Sequence, residues 1–321
     1  MIDSFDKSIF IIGSGRSGTS LVQAILNAHS KISSPPEFHF FKHYIANPFR
    51  QHLNQIENIE HLESFLLRDK KIQRLDIDVQ QVLQPYKSGK SPFDFASVYK
   101  SYMSNYLQRM QKKCFADGTP ENIFYLTYIS SIFPEAYIIH TLRDPRDVVL
   151  SMKKAGYNQG EDISAEKLAT LIHKGYMQVQ KCKHLFKNRL IVIKYEDLID
   201  QIDEMVQRLC SFLDIEFEQE MIHFNKSASQ VFSSEESQWK SNLTKPIMKS
   251  NYGKWKQQLS AKDVLITENI CNNLFTNGLY KKSEYSANAS VLDKMNCSFR
   301  IFRNRLLNTR LLKKKDLRYN D

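Results

Sequence analysis

SIFIIGSGRSGTS, residues 8–20, is the stretch from which the rest of the chain can be read. Ile9-Phe10-Ile11-Ile12 is a short, continuous apolar run rich in β-branched residues, the pattern of a strand buried on both faces of a parallel sheet. Gly13-Ser14-Gly15 breaks it. From Leu21 the pattern turns helical, with Leu21, Ile25 and Leu26 on one face and Val22 beside them. Gly15 to Thr19 is therefore a tight loop between a buried strand and a helix N-terminus. Such a loop aims several backbone N–H groups at one spot, and the helix dipole favours negative charge there. The stretch reads as a cradle for a phosphate-like group.

The loop lacks the lysine of the G-x-x-x-x-G-K-[ST] pattern. Gly13 and Gly18 have its spacing, but Thr19 stands in the lysine position and the cation is Arg16, inside the loop. An anionic group handled by amides, hydroxyls and a guanidinium fits this arrangement better than a metal-bound triphosphate.

Working outward, Lys31 to Ser34 predicts a short second strand, ended by Pro35-Pro36 and followed at once by Glu37 and His39. In parallel α/β sheets ligands sit beyond the carboxyl ends of the strands, so Glu37 and the loop are expected on one edge. Residues 42 to about 112 read as a helical insertion, with amphipathic helices over Ile59 to Leu67, Val79 to Tyr86 and Phe95 to Met110. Cys114-Phe115-Ala116 is a strand, and Asp117-Gly118-Thr119-Pro120 leads to a helix over Glu121 to Phe133. Tyr137 to Leu142 is a clear strand. Arg143 ends it, and Asp144 and Pro145 are a good N-cap and first residue for a helix that carries Ser151 and stops at Gly156. A long helix from about Ser164 to Phe186, a strand over Leu190 to Tyr195 and an amphipathic helix from Asp197 to Leu213 follow. Gln230 to Gln258 is loop-like and holds both tryptophans, Trp239 and Trp255. Strands alternating with helices throughout imply an α/β fold: a mostly parallel central sheet with helices on both faces. The expected division is a main domain over residues 1–285 and a basic C-terminal tail over 286–321, helical around Phe299 to Leu312.

The chain has 321 residues, 42% hydrophobic and 25% charged, which leaves room for a full core. Net charge is +10, and the nine Lys and Arg against three Asp of residues 293–321 supply +6 of it. The body is thus only mildly basic, and a nucleic-acid partner is not expected. The tail suits an anionic membrane surface or an acidic acceptor. Cys114, Cys182, Cys210, Cys271 and Cys297 form no CxxC spacing and read as free thiols of a reducing compartment. With no apolar run long enough to span a bilayer, and a first strand close to Met1, a cytoplasmic location is expected.

Three separated stretches resemble one family. GSGRSGTSLVQAILNAH resembles the 5′-phosphosulfate loop of sulfotransferases that use 3′-phosphoadenosine 5′-phosphosulfate (PAPS). TLRDPRDVVLSM resembles their 3′-phosphate motif, an Arg and a Ser eight residues apart, and KPIMKSNYGKWKQQL their C-terminal nucleotide-covering segment. IVIKYEDLI with the helix ending in CSFLDI is similar to the linking region. The matches run in order from residue 9 to 259 and point to the branch of bacterial, tyrosylprotein and glycan sulfotransferases.

The resemblance implies a P-loop NTPase-like sulfotransferase fold and transfer of a sulfuryl group to a hydroxyl of a saccharide, glycolipid or other small molecule. The product nucleotide would be 3′-phosphoadenosine 5′-phosphate (PAP), and no metal is expected. Arg16, Ser17, Gly18, Thr19 and Ser20 would hold the 5′ end of the donor, and Arg143 with Ser151 the 3′-phosphate. Lys245, Tyr252, Gly253, Lys254 and Trp255 would cover the nucleotide. Arg16 would also meet charge on the leaving group. Glu37, 21 residues after Arg16, is the expected general base, with His39 as its runner-up. There is one departure. The family's Lys-Thr-Pro reads Gly118-Thr119-Pro120 here, and Lys113, Lys42 or Lys245 would have to replace that lysine. Two other readings remain open, a P-loop-type kinase or NTPase and a non-catalytic nucleotide-binding homologue.

Overall fold

The computed structural model describes residues 5–155, 164–232, 236, 240–248, 251–290, 293, 295 and 297–300. Five parallel strands form one sheet in the order β2-β3-β1-β4-β5. They are β1 (Lys7–Gly13), β2 (Ile32–Ser33), β3 (Cys114–Asp117), β4 (Tyr137–Leu142) and β5 (Leu190–Lys194). The apolar run from Ile9 to Ile12 is fully buried, as a central strand between two neighbours must be. Register pairs Phe10 with Asp117 on one side and Ile12 with His140 on the other.

The chain leaves β1 toward β2, returns through β3 and then crosses to β4, so its direction of winding reverses around β1. In open parallel sheets that reversal marks the ligand crevice, beyond the carboxyl ends of the strands. Ser14 follows β1, Gly118 follows β3 and Tyr195 follows β5, all on this edge. Glu37 lies a few residues past β2.

The chain divides into two compact units. One is Met1–Leu142 with Gln178–Lys249 and contains the whole sheet. The other is Arg143–Met177 with Ser250–Asp321.

In the first unit the insertion forms helices Ile59–Arg68, Val79–Lys87 and Phe95–Met110. Their apolar faces are not a separate cap. Tyr99 and Tyr102 join Phe38, Phe40, Phe41 and Tyr44 in one core with Phe10 and Phe115 of the sheet. Tyr99 stacks on Phe38 with centroids 5.5 Å apart and donates to Asp117 at 2.9 Å. Each such side chain contributes about 1.5–3 kcal/mol by leaving water, so the insertion is fixed to the sheet at the end of β3.

Several helices differ from the sequence expectation. The first one begins at Thr19, because Gly18 at φ 102° ends the loop. The span Glu121 to Phe133 is a 3₁₀ segment, Pro120–Phe124, and a helix, Leu126–Ile132, separated where Tyr125 leaves helical geometry. The long helix is Ala165–Cys182, followed by a single tight turn at Lys183–Leu185. The expected helix from Asp197 to Leu213 is two, Tyr195–Asp200 and Ile202–Leu213. Gln201 at φ −132° closes the first through its N–H to Asp197 and opens the second through its carbonyl. The 230–258 region contains short turns at Ala228–Val231 and Ser241–Thr244 and a helix at Trp255–Gln258. Trp239, Gly156 and most of the expected basic helix lie outside the described residues. All five cysteines are buried free thiols. Among the described residues no helix is long and apolar enough to cross a membrane.

Candidate active site

The loop after β1 is built on two left-handed residues. Arg16 has φ 68° and Gly18 φ 102°, both left-handed. The first is uncommon for a residue with a Cβ and costs of order 1 kcal/mol or more. Gly18 also has no room for a side chain, since a Cβ would lie 2.6 Å from the Tyr195 ring. A Cβ on Gly13 would strike the hydroxyls of Ser17 and Thr141. Those two hydroxyls bond each other at 2.8 Å, and the Ser17 N–H donates to the Ser14 carbonyl at 3.1 Å. Ser17 thus spends both its hydroxyl and its amide on building the loop. Among the described residues no side chain caps the helix Thr19–Asn27. Its first amides have no partner within the helix, and they share that end with the positive pole of its dipole. The residues present fit an oxyanion group.

Glu37 stands in a cluster of charges assembled from distant parts of the first unit. Its Oε1 accepts a hydrogen bond from the Lys240 ammonium at 2.8 Å. Lys240 also donates to Glu236 at 3.3 Å, and Arg74 lies 3.9 Å from Glu236. Lys240 and Glu236 are almost wholly buried, at 5% and 4% side-chain exposure. The Lys71 ammonium is held below its usual range, first by burial and then by Arg74, while Glu236 and Glu37 pull the other way.

The second oxygen of Glu37 faces His39. Their Oε2 and Nε2 atoms are 3.7 Å apart. His39 has φ 55°, left-handed, and its Nδ1 meets Glu121 at 3.1 Å. Lys42 donates to the other Glu121 oxygen at 2.9 Å. Burial raises the Glu121 carboxyl, but the bonds to His39 and Lys42 outweigh it and hold the group at about 2. The structure therefore brings Glu37 and His39 together and gives each a different partner.

Gly118 is filled from the side. A Cβ there would lie 2.5 Å from the Gln23 side chain, which is fully buried and donates to the Pro35 carbonyl at 2.7 Å. Three lysines were expected to replace a cation at this point. Lys113 precedes β3 and lies at its amino end, Lys42 is tied to Glu121, and Lys245 is exposed after the turn Ser241–Thr244. The buried cation beside Glu37 is Lys240, which sequence spacing did not reveal. Glu236, Arg74, Glu121, Thr141 and Tyr195 were missed in the same way.

In the second unit, Asp144 and Pro145 start the helix Pro145–Lys154 as expected. The Asp144 carboxylate accepts from the Arg146 N–H at 2.9 Å. Arg143, the residue after β4, is buried and donates to the Asn251 carbonyl at 2.6 Å. Asp147 accepts the N–H groups of Gly253 at 2.5 Å and Trp255 at 3.0 Å. The Arg146 guanidinium lies 3.6 Å over the Trp255 ring and bonds Asp144 and Glu268, each at 2.6 Å. The segment Asn251 to Trp255 is thereby fixed to the first turn of the helix that carries Ser151. Tyr252 and Lys254 belong to it, and the Lys254 ammonium returns to the Asn251 side chain at 2.8 Å. Gly253 at φ 72° makes the turn.

A parallel sheet whose first strand runs into a lysine-free loop and an uncapped helix N-terminus is the frame of this edge. The chain belongs to the sulfotransferase family, whose description it matches over residues 8–219. It is 23% identical over 238 residues to a protein of Caenorhabditis briggsae named a putative protein-tyrosine sulfotransferase, covering 70% of this chain and 72% of that one. A protein-tyrosine sulfotransferase of Drosophila melanogaster is 23% identical over 257 residues, and there this chain spans about half of the relative's length, 47%. Among solved structures, the sulfotransferase domain of the Synechococcus PCC 7002 olefin synthase has a TM-score of 0.58 at 20% identity, covering 85% of this chain and 95% of that one. The sulfotransferase domain from the curacin biosynthetic pathway gives 0.56 at 20% identity, with 85% and 98% covered. Both share the fold.

Proposed function

We propose that this sulfotransferase moves a sulfuryl group from PAPS to an acceptor hydroxyl, with Glu37 as the general base. The observation that carries the reading is the loop after β1. Left-handed Arg16 and Gly18 turn it back on itself, an uncapped helix N-terminus follows, and Thr19 stands where a triphosphate would need a lysine. The donor has two anionic ends. Arg16 with the amides of Gly18, Thr19 and Ser20 is assigned to the 5′-phosphosulfate, and Arg143 with Ser151 to the 3′-phosphate. Tyr252, Gly253, Lys254 and Trp255, with Lys245, are assigned to covering the nucleotide.

In the transfer, the acceptor oxygen bonds to sulfur, the bond from sulfur to the phosphate oxygen breaks, and PAP leaves. The hydroxyl proton passes to Glu37, whose Oε1 is already taken by Lys240, so Oε2 receives it. Arg16 and the helix dipole meet the charge that grows on the leaving phosphate. A saccharide, a glycolipid or another small hydroxyl compound is the proposed acceptor class, and the names of the curated relatives add peptide tyrosine to the panel to be tried. The basic C-terminal tail is proposed to gather such acceptors or an anionic surface.

Calorimetric titration with PAP tests the donor. Metal-independent micromolar binding is expected, weakened in Arg143→Ala by about 1.5–3 kcal/mol, the worth of a hydrogen bond to a charged group. Magnesium-dependent ATP binding in place of PAP would hand the site to a kinase or NTPase. PAP binding with no transfer to any acceptor would make the chain a non-catalytic homologue.

A further inference from the structure

We propose that Lys240 is the positioning residue for Glu37, one that fixes which carboxylate oxygen faces the acceptor. The inference rests on the reading of Glu37 as the base.

A lysine at 5% exposure is unfavourable in itself, because burial removes water from an ammonium. Lys240 is kept there by two carboxylates on one nitrogen, Glu37 at 2.8 Å and Glu236 at 3.3 Å. Arg74, 3.9 Å from Glu236, and Lys71, which feels both acids, add further positive charge. An ion pair serving stability alone needs only one acid. Here the second acid holds the ammonium from behind, and its reach to Glu37 is set by Glu236 four residues earlier.

The consequence falls on Glu37. Oε1 is occupied by an N–H donor that keeps its own proton. Oε2 lies 3.7 Å from His39 Nε2, beyond a direct hydrogen bond. A carboxylate with both oxygens unrestrained would rotate and offer either. Held this way, it offers one in a fixed direction, which is what a general base requires. Lys240 is remote in sequence from Glu37, 203 positions along the chain, so no local pattern advertises the pair.

The groups around the pair are His39 on the far oxygen, Lys71 and Arg74 from the insertion, and Glu236, with Glu121 and Lys42 behind His39. Removing Lys240 leaves Glu37 and Glu236 without their shared cation, and two neighbouring acids then hold a proton more tightly.

The test uses the full chain labelled with ¹³C at the glutamate carboxyls. The Glu37 resonance is the one lost in Glu37→Gln. In Lys240→Met its titration midpoint is expected to rise by about one pH unit or more, and Lys240→Arg to restore it. Glu236→Gln is expected to leave the midpoint at or below that of the unaltered protein, since Lys240 then serves Glu37 alone. An unshifted midpoint in Lys240→Met overturns the proposal. So does a rise in Glu236→Gln equal to that in Lys240→Met, which would show only a loose pool of charge. If Lys240→Met does not fold, Glu236→Gln decides against the unaltered protein: a midpoint at or below that of the unaltered protein supports the proposal and a rise overturns it. PAP titration separates the two readings. Equal PAP affinity of the unaltered and Lys240→Met proteins keeps Lys240 out of donor binding. Failure of the unaltered protein to bind PAP sinks the donor assignment while the carboxyl titration still judges Lys240.

Discussion

The loop after β1 and the charge cluster around Glu37 both lie on the edge of the sheet where the strands end, yet they are made by opposite means. The loop is eight consecutive residues, Gly13 to Ser20, and its shape comes from backbone: two left-handed residues and a helix start without a cap. The cluster is four side chains, Glu37, Arg74, Glu236 and Lys240, and the two that touch at 2.8 Å are 203 positions apart in the chain. A site made from backbone tolerates few residue types and shows itself as glycines at fixed spacing. A site made from paired charges shows nothing until the chain has folded, because each member alone looks like a surface residue.

Glu37→Gln sharpens this contrast most. It keeps the bond from Lys240 but removes the base, so sulfuryl transfer should fall about 10²–10⁴-fold. PAP affinity, which depends on the backbone-made region, should stay within about twofold of the unaltered protein. Turnover and calorimetry on one preparation check both halves. Unchanged turnover would move the base to His39.

His140 marks the core on which the loop rests, and its effect is next in size. It lies in β4 beside Ile12, 2% exposed, and its Nδ1 has no hydrogen-bond partner among the described residues. Burial disfavours the imidazolium and depresses the group to about 4, against an unfolded value of 6.5. The unfolded chain therefore binds the extra proton first. Stability from the neutral ring is complete above about pH 6.5 and is lost as pH falls to about 4, some 3 kcal/mol in all. Urea unfolding at several pH values should show this slope in the unaltered protein, and His140→Leu should flatten that part of it. Parallel slopes would mean the ring finds a partner on protonation.

Gly18→Ala comes third. The left-handed backbone costs a residue with a Cβ about 1–2 kcal/mol, and the methyl would press on Tyr195. The expected result is that loss in stability together with weaker PAP binding, because Tyr195 and the loop cannot both keep their places. Lost binding at unchanged stability would show that the loop is rigid without its glycine.

How much of this was legible follows the same division. β4 was read to the residue, and the helix Phe95–Met110 at both ends, because long apolar periods and an Asp N-cap are local signals. Glu37 was placed at the strand edge from Pro35-Pro36 alone. The breaks at Tyr125 and Gln201 were not legible, since neither residue is a helix breaker and tertiary packing decides them. Lys240 was passed over inside a segment rich in Ser, Asn and Lys. Its role exists only because Glu37 and Glu236 arrive on either side of it. Tyr195 was read as the end of a strand, and its ring became part of the loop only through the pairing of β4 with β5.

The smallest expected effect is a coupling energy, at the point where backbone and side-chain construction meet. Gly118 follows β3, and Gln23 of the helix behind the loop fills the space a side chain would take, with a Cβ only 2.5 Å from it. Gly118→Ala should therefore cost about 1–3 kcal/mol, the usual range for overpacking. Gln23→Ala should cost about 1 kcal/mol or more, from the lost bond to the Pro35 carbonyl. If the two residues compete for one space, the double variant costs less than the sum, by about 0.5 kcal/mol or more. Denaturant unfolding of the four proteins closes that cycle. A cycle that sums to zero would mean Gln23 moves aside freely, and a lysine introduced at residue 118 could then reach the edge that holds Glu37. A coupled cycle means the glutamine has closed that route, leaving Lys240, from the opposite end of the sequence, as the buried cation at the carboxylate.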